Sequence, residues 1–248
     1  MKTCLVTLAL LMAASGAMAQ PGGSLDFDGG DYVEIADPID LGGPLTLEVW
    51  IHPDAFDGGR IISNRGGGYE IDTVSDGRVR FTINSSVRAS ANISAHLGTW
   101  VHIAVTWAGP VDGDVILYVN GEVAATSTAT SEIDPPAGVF RIGSQPSNNW
   151  HFDGGIDEVR VFSTVVDPGT IALWQTRHMA SDHPNYAQLE GAWSFEDGSG
   201  QVAQDLLGVR NGTLGSESGA DDADPTWALG GLVANENMSL GDIKLLFR

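Results

Sequence analysis

The chain of 248 residues has a single cysteine, Cys4, at its extreme N-terminus. No intrachain disulfide can form, so stability has to come from a buried core. Positive charge is scarce too. Twelve Lys and Arg stand against 32 Asp and Glu, a formal net charge of −20 at pH 7. Such a surface repels phosphate backbones and anionic head groups inside the Debye length, which excludes nucleic acid as a partner. The same surplus suits hard cations, or serves solubility alone. Long apolar runs are also missing. Leu5 to Ala13 is too short to cross a bilayer and no later stretch approaches the roughly 20 apolar residues of a membrane helix, so no membrane insertion is expected.

What is present begins with a leader. Met1-Lys2 is basic, Leu5 to Ala13 apolar, and Ala17-Met18-Ala19 an A-x-A cleavage site, the pattern of a secretory signal peptide over residues 1–19. Cleavage after Ala19 removes Cys4 and implies a secreted, periplasmic or cell-surface protein. The mature chain, of about 230 residues, is long enough for one large core, and β-sandwiches of that size form single domains.

From Ser24 to Phe162, short runs of Val, Ile, Thr and aromatics alternate with turn residues every eight to twelve positions, the grammar of a sandwich or barrel. Strands are expected at Ser24–Phe27, Tyr32–Ile35, Leu45–Ile51, Arg60–Ser63, Tyr69–Thr73, Val79–Ile83, Val101–Trp107, Asp114–Val119, Val123–Thr128, Phe140–Ile142 and Gly155–Phe162. Asp57-Gly58-Gly59, Asp76-Gly77 and Asn120-Gly121 punctuate them, the last a strong two-residue hairpin signal. Asp167 can cap a helix with Pro168 at its first position, which predicts one short helix over about 168–178. Gly191–Phe195 and Gly212–Leu214 read as further strands. Ser216 to Asp224 has no periodicity and is expected to be a solvated, mobile loop. Residues 230–248 read as a tail.

Four phrases in order carry a family resemblance: Leu25-Asp26-Phe27-Asp28-Gly29-Gly30-Asp31-Tyr32-Val33, Leu45-Thr46-Leu47-Glu48-Val49-Trp50-Ile51, Trp100-Val101-His102-Ile103-Ala104-Val105-Thr106-Trp107, and Phe152 to Phe162. Leu117 to Glu122 and Ile142-Gly143 fit the same template. The chain resembles the laminin G-like, concanavalin A-like jelly-roll domains of bacterial exported proteins. The resemblance implies an all-β sandwich of two antiparallel sheets with one short helix. One departure is informative: the phrase Ala192-Trp193-Ser194-Phe195-Glu196-Asp197-Gly198, which opens many such domains, comes last here. Either 191–227 starts a truncated second domain, or it is a C-terminal hairpin that completes a single domain over 20–229. A jelly roll sets its terminal strands side by side and tolerates the second arrangement.

Candidate sites follow. Asp28 and Asp31 flank a Gly-Gly turn where carboxylates and carbonyls could converge on Ca²⁺, or they form an Asx turn without metal. By strand alternation Asp157 shares the inward side with Val159 and Val161, where a carboxylate needs a metal or N–H partners. The resemblance adds a structural Ca²⁺, held by Asp157 with Asp28 or Asp31. Trp50, Trp100 and Trp107 read as core. Trp150 sits in a polar loop with Asn148, Asn149 and His151. It could stack on a sugar ring while its neighbours bind hydroxyls, or fold over the rim of the sandwich.

Glycosidases share this fold and need two carboxylates. Glu70-Ile71-Asp72 resembles the opening of a laminarinase-like E-x-D motif, yet Val74 and Ser75 stand where the second Glu belongs. A lyase would need clustered bases, and the basic residues are scattered along the chain. There is no G-x-S-x-G elbow and no H-E-x-x-H zinc site. A non-catalytic binding module is therefore expected, its partner an extracellular polysaccharide or glycoprotein glycan, or alternatively a surface protein in an adhesion role.

Overall fold

The computed structural model describes residues 23–64, 68–135, 138–147 and 149–229. The leader, Cys4, Asn148 and the tail lie outside them. In chain order the strands are β1 (Gly23–Asp28), β2 (Val33–Ile35), β3 (Leu45–Pro53), β4 (Arg60–Ser63), β5 (Tyr69–Val74), β6 (Arg78–Ile83), β7 (Ser86–Asn92) and β8 (Val101–Trp107). There follow a one-turn helix α1 (Gly109–Asp112), β9 (Asp114–Val119), β10 (Glu122–Thr128), β11 (Phe140–Ile142), β12 (Asp153–Phe162) and helix α2 (Pro168–Trp174). The chain closes with β13 (Leu189–Trp193), β14 (Val202–Ala203), β15 (Gly212–Leu214) and β16 (Thr226–Leu229).

These form two eight-stranded sheets, antiparallel throughout. The first runs β10-β9-β8-β3-β12-β1-β16, with β13 also on β12; the second runs β14-β15-β2-β11-β4-β5-β6-β7. One apolar core fills the space between them, built from alternating residues such as Leu47, Val49 and Ile51 of β3 and Ile71, Phe81 and Phe140 of the facing sheet. The Asn120-Gly121 hairpin is present, with both residues at positive φ. A second two-residue hairpin, Asn84-Ser85, also has both φ positive and starts β7, a strand with no Val/Ile run of its own.

Residues 191–227 do not form one edge hairpin. β13 pairs with β12 and β16 with β1 in the first sheet, while β14 and β15 extend the second sheet beyond β2. Trp193 enters the main core and stacks on Phe140, ring centroids 5.6 Å apart, and its indole N–H donates to the Arg210 carbonyl. The turn after β14 is held by one carboxylate. Buried Asp205 accepts the backbone N–H groups of Ala192, Leu207, Val209 and Arg210 at 3.0–3.3 Å.

Strand β12 sits at the junction. Its first half pairs with β1 and its second half with β13, end to end on the same side. Across β3 the register runs Asp157 to Trp50 and then Arg160 to Glu48, one extra residue on β12: a bulge with Glu158 at φ +48. The bulge corrects the parity expected for Asp157. Ile156, Val159 and Val161 point into the main core, whereas Asp157 and Arg160 share the outer face with Trp50 and Glu48.

That outer face carries a second apolar layer. Phe162, Val166, Ile171, Met179 and Leu189 pack with Ala104 and Tyr118 of the first sheet. Trp50 belongs here, its N–H donating to the Gln175 carbonyl at 2.6 Å, while Trp107 lies in the main core and Trp100 is half-buried against Gly155. Asp167 caps α2 by accepting the Gly169 N–H. The helix ends at Trp174, short of residue 178, because the Arg160 guanidinium takes the carbonyls of Trp174 and Arg177.

Asp205→Ala leaves four backbone donors without their acceptor. It is expected to lower unfolding free energy in urea by about 3 kcal/mol with an unchanged m-value. A loss below about 0.5 kcal/mol would mean that the turn stands without its carboxylate.

Candidate functional site

The outward face of the second sheet carries a ladder of charge. Residues directly opposite across antiparallel strands share a face, and the register aligns two rows. Glu34, Arg141, Ser63, Glu70 and Thr82 form one; Arg60, Asp72, Arg80 and Ser90 form the other. Arg80 clamps Asp72 through two bonds of 2.8 and 2.9 Å, and Arg60 reaches the same carboxylate at 3.3 Å and Glu70 at 3.5 Å. Ser63 donates to Glu70 at 2.6 Å. Arg141 clamps Glu34 at 2.7 and 3.0 Å and lies 3.8 Å over the Tyr32 ring. Basic side chains scattered along the sequence thus meet on one face, contrary to expectation, because β4 and β11 each deliver one to it and β6 delivers Arg78 and Arg80.

The loop between β11 and β12 folds over this ladder. Gly143, at φ +86, starts it; a Cβ there would lie 2.4 Å from the Phe27 ring. Gln145 and Asn149 pinch the loop closed, and Phe152 N–H returns to the Gly143 carbonyl. Trp150, at φ +59, accepts the Arg60 N–H with its carbonyl, and its ring sits 5.5 Å from the Arg60 guanidinium with 56% of its surface exposed. It therefore does not fold away into the sandwich. Asn149 is exposed beside it, bonded to Ser147. His151 is half-buried and turned to the Asp31 carbonyl and the Tyr32 ring.

The three expected metal ligands do not converge. Asp28 lies opposite Asp153 on β12, four residues from Asp157, which at the usual strand rise is roughly 13 Å. Asp28 accepts the Gly30 N–H and Asp31 accepts the Asp28 N–H, so both close their own turn. Asp157 accepts the Glu158 N–H and its second oxygen has no hydrogen-bond partner. Burial, with the Glu158 charge beside it, pushes this carboxyl well above the usual range. Among the described residues no group of three or more His, Cys, Asp or Glu side chains is placed to hold a metal ion. Asp28, Asp31 and Asp157 do not fit one Ca²⁺.

The acidic stretch 216–224 is tied down rather than loose. Asp221 accepts from the Ser216 hydroxyl and N–H and from the Ala223 N–H, and Ala223 and Gly215 bond both sides of Tyr32. Elsewhere, over the outer layer of the first sheet, a cleft of about 290 Å³ is lined by Glu158, His178, Met179, Ser194, Glu196 and Leu206. Its one buried carboxylate, Glu158, is already paired with Arg160 and His178, both at 2.6 Å.

Two antiparallel β-sheets around one core, with a polar outer face and an aromatic loop, define a lectin-like sandwich. The chain belongs to the concanavalin A-like lectin/glucanases superfamily, whose laminin G family model matches residues 27–172. Solved structures agree at the level of the fold. A Bacteroides ovatus protein inferred to bind carbohydrate superimposes with a TM-score of 0.67 at 21% identity, over 84% of this chain and 60% of that one. A heptameric pentraxin of Limulus polyphemus gives 0.50 at 20% identity, over 61% of this chain and 82% of that one. The comparison with curated proteins gave no match.

Two outcomes test the acidic turns. Chelation with EDTA is expected to leave the melting temperature unchanged; a fall of several degrees that calcium restores would show that other oxygens assemble a site. Burial, together with the Asp28 charge, pushes the Asp31 carboxyl from 3.8 up to about 6 against the Asp28 N–H it accepts. With the folded value raised, the native state binds more protons and stability falls as pH rises between about 4 and 6. Asp31→Asn is expected to remove that fall, read by thermal melts of both proteins across the window.

Proposed function

We propose that this chain is a non-catalytic carbohydrate-binding module that works outside the cytoplasm, with Trp150 as its stacking platform. The observation that carries the reading is an indole more than half exposed, held at positive φ beside a hydrogen-bonding face. A pyranose or furanose face packs on such a ring, while guanidinium and carboxylate groups take its hydroxyls. Trp150 with the partly exposed guanidinium groups of Arg60 and Arg80, held from beneath by buried Asp72 and Glu70, supplies that pairing, and Asn149 adds an amide at the rim.

The same contacts argue against hydrolysis. Glycoside cleavage needs one carboxyl as acid and another as nucleophile or base. Asp72 is bridged by two arginines, Glu70 is bonded to Ser63 and Arg60, and Val74 stands where a further acid would share their face. The carbohydrate binding inferred for the Bacteroides ovatus protein points the same way, and this chain spans 60% of that protein. An extracellular setting accords with the leader pattern, and no described helix is long and apolar enough to cross a membrane.

A glycan array identifies the ligand, and calorimetry on that ligand tests the platform. Trp150→Ala is expected to weaken binding about tenfold, the worth of one aromatic stacking contact, with a melting temperature within about 2 °C of the parent. Equal affinity in the variant would place the platform elsewhere. No binding to any glycan would end the carbohydrate reading.

A further inference from the structure

We infer that His183 is an acid-sensitive latch: taking up a proton drives its ring from the slot that holds it and frees residues 180–188 from the outer layer of the first sheet. The ground is how little else attaches that segment. Within 180–188 only His183 is buried, at 3% exposure, and Tyr186 packs partly buried beside the outer layer. The N–H groups of His183, Tyr186 and Gln188 bond to the carbonyls of Ala180, His183 and Asn185. Such bonds shape the segment without fastening it to the sheets. The body takes hold again at its end, where Ser163 donates to the Gln188 carbonyl, and holds it before its start, where Met179 is buried and His178 bonds Glu158 at 2.6 Å.

The slot is made of two aromatic rings. The His183 imidazole stacks on Phe162 of β12, centroids 5.2 Å apart at 26°, and meets Trp174 of α2 edge-on at 4.7 Å. Its Nδ1 accepts the backbone N–H of Asn185 at 3.0 Å, which fixes that nitrogen as the unprotonated one, and its Nε2 has no hydrogen-bond partner. A neutral ring suits this slot. An added proton goes to Nδ1, where it sets two donors against each other, breaks the bond to Asn185 and leaves the buried cation without an acceptor on either nitrogen.

The charged groups around the ring are Glu48 on β3, Arg160 on β12 and Asp182 on its own segment. Burial pushes the imidazole below its ordinary value of 6.5 against the pull of Glu48, with Arg160 adding to the fall and Asp182 opposing it. The closed state therefore binds fewer protons at this site than the opened one, so the latch holds above pH 6.5 and weakens as pH falls through and below that value. His178 has the opposite sign. Its hydrogen bond to Glu158 raises it against partial burial, so it stays charged and docked through the same window. Acid thus frees the stretch between two fixed points, His178 and the Gln188 carbonyl, and uncovers the rings of Phe162 and Trp174.

Hydrogen exchange on the full chain, corrected for the intrinsic rate, reads the opening. Protection of residues 180–188 is expected to fall about fivefold between about pH 7.5 and about pH 5.5, one proton allowing at most about tenfold per pH unit, while β3 and β8 keep theirs. His183→Asn keeps an acceptor for the Asn185 N–H in an Asx turn and does not titrate, and His183→Phe keeps the aromatic stack. The fall is expected to vanish in both, and the second variant reports where the first fails to fold. Equal protection of the parent at the two pH values overturns the inference. A folded variant that keeps the fall overturns it too, since another buried group such as His102 then carries the effect. So does an NMR titration of the folded chain that places His183 at or above 6.5.

Discussion

Arg160 is the interaction on which the two ends of this chain depend. It is 1% exposed and lies between Glu158 and Glu48, and it hydrogen-bonds the carbonyls that end α2. Burial alone would raise both glutamates, but both are held low, Glu158 by the Arg160 charge and then His178, Glu48 by its hydrogen bond to His102 and then the Arg160 charge. A buried guanidinium is tolerable only with this degree of pairing, since losing one partner costs about 3–5 kcal/mol. The bulge at Glu158 makes the pairing possible. By inserting one residue it turns Asp157 and Arg160 to the outer face and returns Val159 and Val161 to the core. It also falls where β1 gives way to β13 along β12, next to the point where the Gly23 N–H meets Glu196. The outer layer, the end of the helix and the junction of first and last strands are thus fixed together.

Period-two alternation and turn residues placed the strands with Val, Ile or aromatic runs to within about two residues, because there local propensity and burial agree. β7 escaped for the opposite reason. Ser86 to Asn92 is half exposed and short of β-branched residues, and it is a strand because the Asn84-Ser85 turn folds it back on β6. β16 is likewise made by a partner found far along the chain, β1, and two-residue β14 by its pairing with β15, which the sequence did indicate at its observed bounds. Asp157 shows the limit of parity reasoning. A bulge is set by tertiary pairing, and it inverts every assignment that counts through it.

The candidate site was legible only in part. Trp150 stands out because an aromatic in a run of polar residues has no local reason to be buried, and it is exposed together with Ser147 and Asn149. The ladder beneath it was not legible. Arg60, Asp72, Arg80 and Arg141 belong to four strands, and only the register β11-β4-β5-β6 puts them in contact. The one available signal was Glu70-x-Asp72, whose spacing puts both carboxylates on one face. It was read as a broken catalytic motif, and the structure uses it as the acidic half of a salt-bridge network. The guanidinium groups that pair with it come from the neighbouring strands β4 and β6.

The shortage of basic residues then takes on a structural meaning. In a chain with twelve cations and 32 anions, a guanidinium left in solvent would do little for stability, since exposed pairs are worth about 1 kcal/mol or less. Arg60, Arg80 and Arg160 are instead placed where carboxylates are already desolvated, and each carries hydrogen bonds that water no longer supplies. The acidic surplus is left to the rim, where burial and then the Asp54 charge raise the affinity of Asp26 and Asp153 for protons. Two functions of charge are thereby separated in space. Like charge gathers at the rim, while on the second sheet Glu34, Glu70 and Asp72 each meet a guanidinium delivered by a neighbouring strand.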